Sequence, residues 1–277
     1  MSNGNSSNEY ILGRGISESV RLYGQHLLWK LHQGYLLHPS ITRTENMKIA
    51  DIGSGTGLWL LDLARDLPCT AQLDGYDVSN KQFPPRHLWP ENVTLALLDS
   101  FDNPPLSLVG QYDVVHLRMW ASNLRTKDVR SLIYNVKKLL KPGGYIQWED
   151  ADLLHQVVRT NLAEAFEREI NVLFESVGLD YSWVHSLPRS LAEEHLTIVQ
   201  CTCDTFEHIL VQLCTDTYLL ALKEILEGIK RMSSHNIGDY STCPSEVALD
   251  QLLASHNNDL VYNWGPIVVL AQNDNTQ

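Results

Sequence analysis

Apolar residues along the chain follow two periods, and each change of period marks an element. After Ser17, placed to cap a helix, Val20, Tyr23, Leu27, Leu28 and Leu31 recur at helical spacing until Gly34. Arg21 and Gln25 share another face of that helix, four residues apart. KIADIG at 48–53 predicts a short buried strand, and residues 58–64, apolar nearly all round, predict a helix covered on most sides. LDGYDVS, VTLALLDSF and YDVVHLRMW predict the second, third and fourth strands. Val129, Leu132, Ile133, Val136, Leu139 and Leu140 outline an amphipathic helix. Lys137, Lys138 and Lys141 near its end suit the negative pole of the dipole. Pro142, Gly143 and Gly144 stop it before a fifth strand, YIQW. Repeated strand–helix–strand units argue an α/β fold, a parallel sheet with helices on both faces.

The second half breaks that rhythm. Ala163, Phe166, Ile170, Leu173, Phe174 and Val177 predict a helix with no strand directly after it. LTIVQCTCDTF predicts a sixth strand, and Tyr218, Leu219, Leu222, Leu226 and Ile229 lie on one stripe of a long helix. A short helix at 245–255 precedes PIVVLAQ, the last strand, with Pro266 at its start, where a missing donor is tolerated. Residues 1–9 are polar and read as a disordered tail.

Composition narrows the partners. The 277 residues, 44% of them hydrophobic, suffice for one large domain, and a net charge of −12 without a basic stripe argues against nucleic acid. No apolar run approaches the roughly 18–20 residues of a membrane span, and the first nine residues contain no apolar signal core. The expectation is a cytoplasmic protein with a small-molecule partner, no nucleic acid, no membrane and a monomer as default. Cys201 and Cys203 point to one face of a strand and read as small hydrophobes packed there; the rest of a metal-ligand set is missing, so no metal is expected.

The chemistry concentrates in IADIGSGTGLWLLDLAR, Ile49 to Arg65, which reads Asp51-x-Gly53-x-Gly55-x-Gly57. Glycines between a strand and a helix let the backbone come close to a ligand. A dinucleotide fingerprint would need Gly or Ala at 58, where Leu58 stands. Asp51 would repel a pyrophosphate and favour a cation. S-adenosylmethionine carries a sulfonium and an ammonium and no phosphate, so the acid fits that ligand. Asp77 ends the second strand, where a carboxylate can accept both ribose hydroxyls. Asp99 follows the third and can accept from an adenine amine, with Phe101 placed to pack on the base. Each acid alone also reads as a turn or cap residue; all three stand where open α/β sheets bind ligands.

On these residues the segment 48–150 resembles the class I S-adenosylmethionine-dependent methyltransferases. IADIGSGTG, LDGYDVS, LALLDSF and LLKPGGYIQW match its motifs. The resemblance implies a Rossmann-like seven-stranded sheet, mostly parallel with the last strand antiparallel. YILGRGISESVRLYGQHLLWKLHQGYLLHPSI and YDVVHLRMW resemble the fungal secondary-metabolite group, which includes LaeA-like regulators. Tyr10, LGR at 12–14, ES at 18–19, QH at 25–26 and HP at 38–39 bring it nearest the gliotoxin-type bis-thiomethyltransferases. The resemblance implies one methyltransferase domain over 10–277: an N-terminal helical lid at 10–47, a core at 48–150, and substrate-cap helices at 151–195 and 207–258. It gives Asp51, Gly53, Ser54, Gly55 and Gly57 to the methionine part of the cofactor, Asp77 and Val78 to the ribose, and Asp99, Ser100 and Phe101 to the adenine. Arg21 and Gln25 become candidate cofactor contacts from the lid, and His116 to Arg118 fall near the reactive methyl.

Methyl transfer from a sulfonium is an in-line displacement that needs chiefly orientation and desolvation. A thiol acceptor, with a pKa of about 8.5, needs no dedicated base. His116 is the candidate base by its place near the end of the fourth strand, or else a histidine packed within the sheet, and Arg118 is a candidate anchor. Trp120 and Trp148 line an acceptor site or pack in the core, and Glu149, Asp150 and Asp152 follow the fifth strand. The expected activity is S-methylation of the free thiols of a reduced epidithiodiketopiperazine. O- or N-methylation of another metabolite, a LaeA-like regulatory role and a cofactor-assisted rearrangement are the alternatives.

Overall fold

The computed structural model describes residues 12–176, 179–233, 246–256 and 259–274. The expected tail at 1–9, Tyr10, Val177 and Cys243 lie outside them. In chain order the helices and strands are α1 (Ile16–Gln33), β1 (Lys48–Ile52), α2 (Leu58–Leu63), β2 (Gln72–Asp77), β3 (Val93–Leu97), β4 (Tyr112–Arg118), α3 (Val129–Leu139), β5 (Leu140–Arg159), α4 (Asn161–Ser176), α5 (Ser182–His185), α6 (Leu187–Glu193), β6 (Thr197–Cys203), α7 (Val211–Ser233), α8 (Glu246–Ala254) and β7 (Val261–Gln272). None of the described helices is long and apolar enough to cross a membrane.

The chain divides into two compact units. The sheet unit comprises Gln33–Asp152, Ser182–Asp204 and the segment from Pro266. Its seven strands run in the order β3-β2-β1-β4-β5-β7-β6. β1 pairs in parallel with β2 and β4, β3 in parallel with β2, and β5 in parallel with β4, while β6 and β7 are antiparallel. This is the Rossmann-like arrangement expected. β1 is apolar because both of its faces are covered: Ile49, Ala50 and Ile52 are buried among side chains of neighbouring elements. Trp59, Leu60 and Leu63 of α2 join Met47, Leu73 and Val114 in one buried cluster. α3 buries Val129, Leu132, Ile133, Val136 and Leu139, the predicted stripe. The lysines at its end take specific partners: Lys137 donates to the Glu194 carbonyl at 2.6 Å and Lys141 to the Asp113 carboxylate at 2.7 Å.

Two elements differ from expectation. β5 does not end near Trp148 but continues to Arg159, so Glu149 and Asp150 lie inside the strand, both buried. Cys201 and Cys203 are exposed on β6, the edge strand, rather than packed as small hydrophobes.

The helical unit comprises the segment through His32, Leu153–Tyr181 and Thr205–Gly265. In α1 the buried face is the one carrying Arg21, Gln25, His26, Leu28 and Trp29. Of the apolar residues expected inside, Val20, Tyr23, Leu27 and Leu31 are exposed. The reason is pairing and size. Trp29 packs on Trp264 at 5.7 Å and on Phe206 at 6.4 Å between ring centroids. Arg21 meets Glu224 of α7 in a two-pronged ion pair, Nε to Oε1 at 2.6 Å and Nη2 to Oε2 at 2.9 Å. A guanidinium can enter an apolar interior when its fork is matched in this way.

Arg21→Ala leaves Glu224 buried without its cation, and the cost expected is about 3–5 kcal/mol, read as a drop in thermal stability. Arg21→Met with Glu224→Leu restores most of that loss. A full-stability Arg21→Ala would mean that the pair contributes nothing to the helical unit.

Candidate functional site

The order β3-β2-β1-β4 reverses direction at β1, and the carboxyl ends of β1 and β4 meet there. Open α/β sheets bind ligands at this kind of switch point. The register sets Asp51 of β1 opposite His116 of β4, and His116 opposite Gln147 of β5. His116 Nδ1 lies 2.7 Å from Asp51 Oδ1. Its Nε2 lies 3.5 Å from Glu149 Oε2, an ion-pair distance that falls short of hydrogen-bond geometry. Arg118 Nη1 lies 3.7 Å from the same oxygen. Gln147 donates to Glu149 Oε1 at 2.6 Å. The His116 ring stacks face to face on Trp59, 3.7 Å between centroids and 3° between planes.

This network decides the protonation of His116. Burial opposes the charged ring and is the largest single influence. The carboxylates of Glu149 and Asp51 together outweigh it and hold the pKa above the ordinary histidine value. Burial likewise opposes ionisation of Glu149, and His116 and Arg118 reverse the balance, so its pKa falls below the usual carboxylate value. The result is a row of alternating acidic and basic side chains, Asp51, His116, Glu149 and Arg118, across three strands. His116 is 1% exposed.

The loop after β1 supplies the second part of the site. Gly53, Gly55 and Gly57 have φ of 73°, 54° and 70°, a region that L side chains enter only at a cost. The amides of Gly53 and Ser54 donate to the Tyr76 carbonyl, and the Gly55 amide donates to Asp77 Oδ2 at 2.9 Å. Asp77 Oδ1 accepts from the Ser79 amide at 3.0 Å. Asp77 therefore ties the glycine loop to the end of β2. Ser54 Oγ is buried without a partner among the described residues. Asp99 Oδ1 accepts from the Phe101 amide, and Asn135 of α3 donates to the carbonyls of Ser100 and Phe101. Val78 and Phe101 expose their apolar side chains beside these acids.

The third part is the turn after β4. Asp150 accepts from the amides of Trp120, Ala121 and Ala151 and from the Trp148 indole, all between 2.9 and 3.1 Å. Burial still outweighs these bonds and pushes its pKa up to about 6. Met119 takes φ 59°, which places Trp120 over the glycine loop. A Cβ on Gly53 would come within 2.9 Å of the Trp120 ring. Trp120 also meets Phe101 edge-on at 6.2 Å.

The sheet unit thus gathers Asp51, Gly53, Ser54, Gly55, Gly57, Asp77, Val78, Asp99, Ser100, Phe101, His116 and Arg118 at the carboxyl ends of β1 to β4. Arg21 and Gln25 belong to the helical unit, where Arg21 is taken up by Glu224. Sequence reasoning missed Trp59, Gln147 and Asn135. Asn135 had a signal, a polar residue beside the apolar stripe of α3.

A family model described as a methyltransferase domain matches residues 50–146. The methyltransferase grgD of a Penicillium species is 40% identical over 151 residues, 52% of this chain and 52% of that protein. The N-methyltransferase tcpN of Claviceps purpurea is 36% identical over 141 residues, 50% of each chain. The chain spans about half the length of the curated relatives it matches. Among solved structures, geranyl diphosphate C-methyltransferase from Streptomyces coelicolor, in complex with Mg2+, geranyl diphosphate and S-adenosyl-L-homocysteine, superposes with a TM-score of 0.52 at 14% identity, over 98% of this chain and 88% of that one. At that identity the likeness speaks for the fold alone. S-adenosylmethionine is the cofactor that goes with the matched domain.

The buried row makes stability depend on pH in a defined direction. His116 has a raised folded pKa, so its contribution is complete below the ordinary value of 6.5 and is lost as pH rises through the folded value. Thermal melts taken upward from the ordinary histidine pKa of about 6.5 are expected to descend for the wild type as pH rises through the higher folded value. His116→Gln removes that descent and lowers stability at neutral pH by about 3–5 kcal/mol, because two carboxylates lose their cation. Parallel pH profiles for the two proteins would contradict a charged His116.

Proposed function

We propose that the chain is an S-adenosylmethionine-dependent methyltransferase of a small-molecule fungal secondary metabolite, with free thiols of a reduced epidithiodiketopiperazine as the favoured acceptor. The observation that carries this reading is the positive-φ glycine loop tied to Asp77, in the segment that matches a methyltransferase domain. The residues fit the cofactor. The glycine cradle at 53–57 leaves backbone where a side chain would intrude, and the Ser54 hydroxyl lacks a partner among the described residues. Asp77 is the ribose acceptor in this reading, Asp99 faces the adenine amine, and Val78 and Phe101 offer apolar surface to the base. Arg21 and Gln25 remain candidate cofactor contacts from α1.

When bound, S-adenosylmethionine supplies an electrophilic methyl group on a sulfonium. The chain's own work is to bind, orient and exclude water. His116 enters as a positioning residue: it is 1% exposed and its two ring nitrogens face the carboxylates of Asp51 and Glu149, so neither is placed to take a proton from an acceptor. Its charge keeps Asp51 and Glu149 in register beneath the glycine loop. Without a histidine base, the acceptor that suits the site is one that ionises readily by itself, and a thiol does so near pH 8.5. The second reading is an amine acceptor, favoured by the relative named as an N-methyltransferase.

Mass spectrometry of products tests the acceptor. The protein is incubated with S-adenosylmethionine and a reduced dithiol diketopiperazine, beside a phenol and an amine panel. Methylated thiols are the expected result. Transfer to amines alone would favour the second reading, and cofactor binding without any transfer would favour a regulatory role. Calorimetric titration of Asp77→Ala with S-adenosylmethionine is expected to show affinity reduced by about 1–3 kcal/mol, the loss of a hydrogen-bonded carboxylate. Unchanged affinity would overturn the ribose assignment.

A further inference from the structure

The helical unit contains a polar cluster that the proposed cofactor site does not use. Gln156 of β5 donates to Glu167 Oε1 of α4 at 2.8 Å and to the Tyr218 hydroxyl of α7 at 3.0 Å. Tyr218 donates to Glu167 Oε2 at 3.3 Å. Tyr262 of β7 stacks obliquely on Tyr218, 4.7 Å between centroids, and spends its own hydroxyl on the Ala163 carbonyl. Tyr181 stands edge-on to Phe174 and is 5% exposed.

Three features of the cluster are unbalanced. The Tyr181 hydroxyl and Gln156 Oε1 are buried without a hydrogen-bond partner among the described residues. Such orphans are uncommon in folded proteins and call for a water, an ion or a ligand. Among the described residues the hydrogen-bond partners of the Glu167 carboxylate are neutral: Gln156, Asn171 and Tyr218. Burial accordingly pushes its pKa up, with no cation to offset it. Glu224 in the same unit is also pushed up by burial, but its carboxylate is matched by the Arg21 guanidinium, a partner of a kind that Glu167 does not have among the described residues.

We propose that Glu167, Gln156, Tyr181 and Tyr218 form a recognition site for the protonated amine of a small-molecule ligand. The available groups can all accept: a carboxylate, an amide oxygen and a phenolic oxygen. An ammonium brings three N–H donors and no acceptor. The Tyr218 and Tyr262 rings add the electron-rich faces that attract a cation. Ligands bearing a carboxylate or phosphate at this position would meet Glu167 with like charge. The site holds the ligand, and no covalent step is assigned to it. The inference rests on the methyltransferase reading in one respect, that a small organic molecule is what this chain takes up.

The test measures binding without the cofactor, so it is independent of that reading. Phenethylammonium and the neutral phenethyl alcohol serve as probes, titrated calorimetrically. The ammonium is expected to bind at least about tenfold more tightly, roughly 1.4 kcal/mol. Glu167→Gln should abolish the difference, and Tyr181→Phe, which removes only the unpaired hydroxyl, should weaken the ammonium several-fold with the melting temperature unchanged. Equal binding of the two probes, or ammonium preference surviving in Glu167→Gln, would overturn the proposal. A wild-type protein that prefers the ammonium yet fails to bind S-adenosylmethionine in a separate titration would support this site and refute the methyltransferase reading.

Discussion

The pairing of Asp51 with His116 across β1 and β4 is the contact on which the sheet unit's site depends. Both residues are buried at the switch point, where the parallel register brings them side by side. Neither charge could be carried there alone, because an isolated ion in that interior costs several kcal/mol. The arrangement works because it continues: Glu149 on β5 faces His116 from the other side, and Arg118 faces Glu149. Two anions and two cations leave the row neutral as a whole. Trp59 of α2 closes it by stacking on the imidazole.

The loops take their shape from carboxylates of the same region. Asp77 receives the Gly55 amide and Asp150 receives three amides and an indole. In each case an acid, Asp77 at the end of β2 and Asp150 within β5, gathers donors that would otherwise point into the interior unsatisfied. The strained backbone at Met119 is sustained by this anchoring. Trp120 then covers Gly53, and only a glycine fits beneath it. The glycine loop is therefore shaped from two sides, by β2 through Asp77 and by the turn after β4 through Trp120.

Most of the sheet was legible because burial on both faces writes itself as short apolar strands between glycines. The strand ends and their acids followed from the same pattern. What remained hidden were pairings over long sequence separations. The apolar stripe of α1 looked like its inner face, yet the inner face holds Arg21, whose partner Glu224 lies 203 residues away. Local periodicity contains no information about that partner. β5 looked finished at Trp148 because the acids Glu149 and Asp150 follow it directly. They are buried because His116, Arg118 and the amides of the turn after β4 compensate them, and those groups come from elsewhere in the chain. At His116, sequence position left two readings open, a base and a packed histidine, and it gave no sign of the two carboxylates that surround the ring.

The acid beside the glycine loop shows how an electrostatic argument can be sound and its partner still unforeseen. A carboxylate at position 51 demands a cation, and the sequence pointed to a ligand as its source. The fold supplies one from within, the His116 ring, whose Nδ1 lies 2.7 Å away and whose pKa the surrounding carboxylates raise. The exclusion of a pyrophosphate survives this change. The row beneath the loop has no net positive charge to offer, and the first turn of α2 carries no basic side chain. A neutral floor, glycine backbone above it and exposed Val78 and Phe101 at its side favour a ligand whose large part is an uncharged nucleoside. Internal neutralisation of Asp51 thus leaves the loop selective by what it lacks, which is any concentration of positive charge for a phosphate to bind.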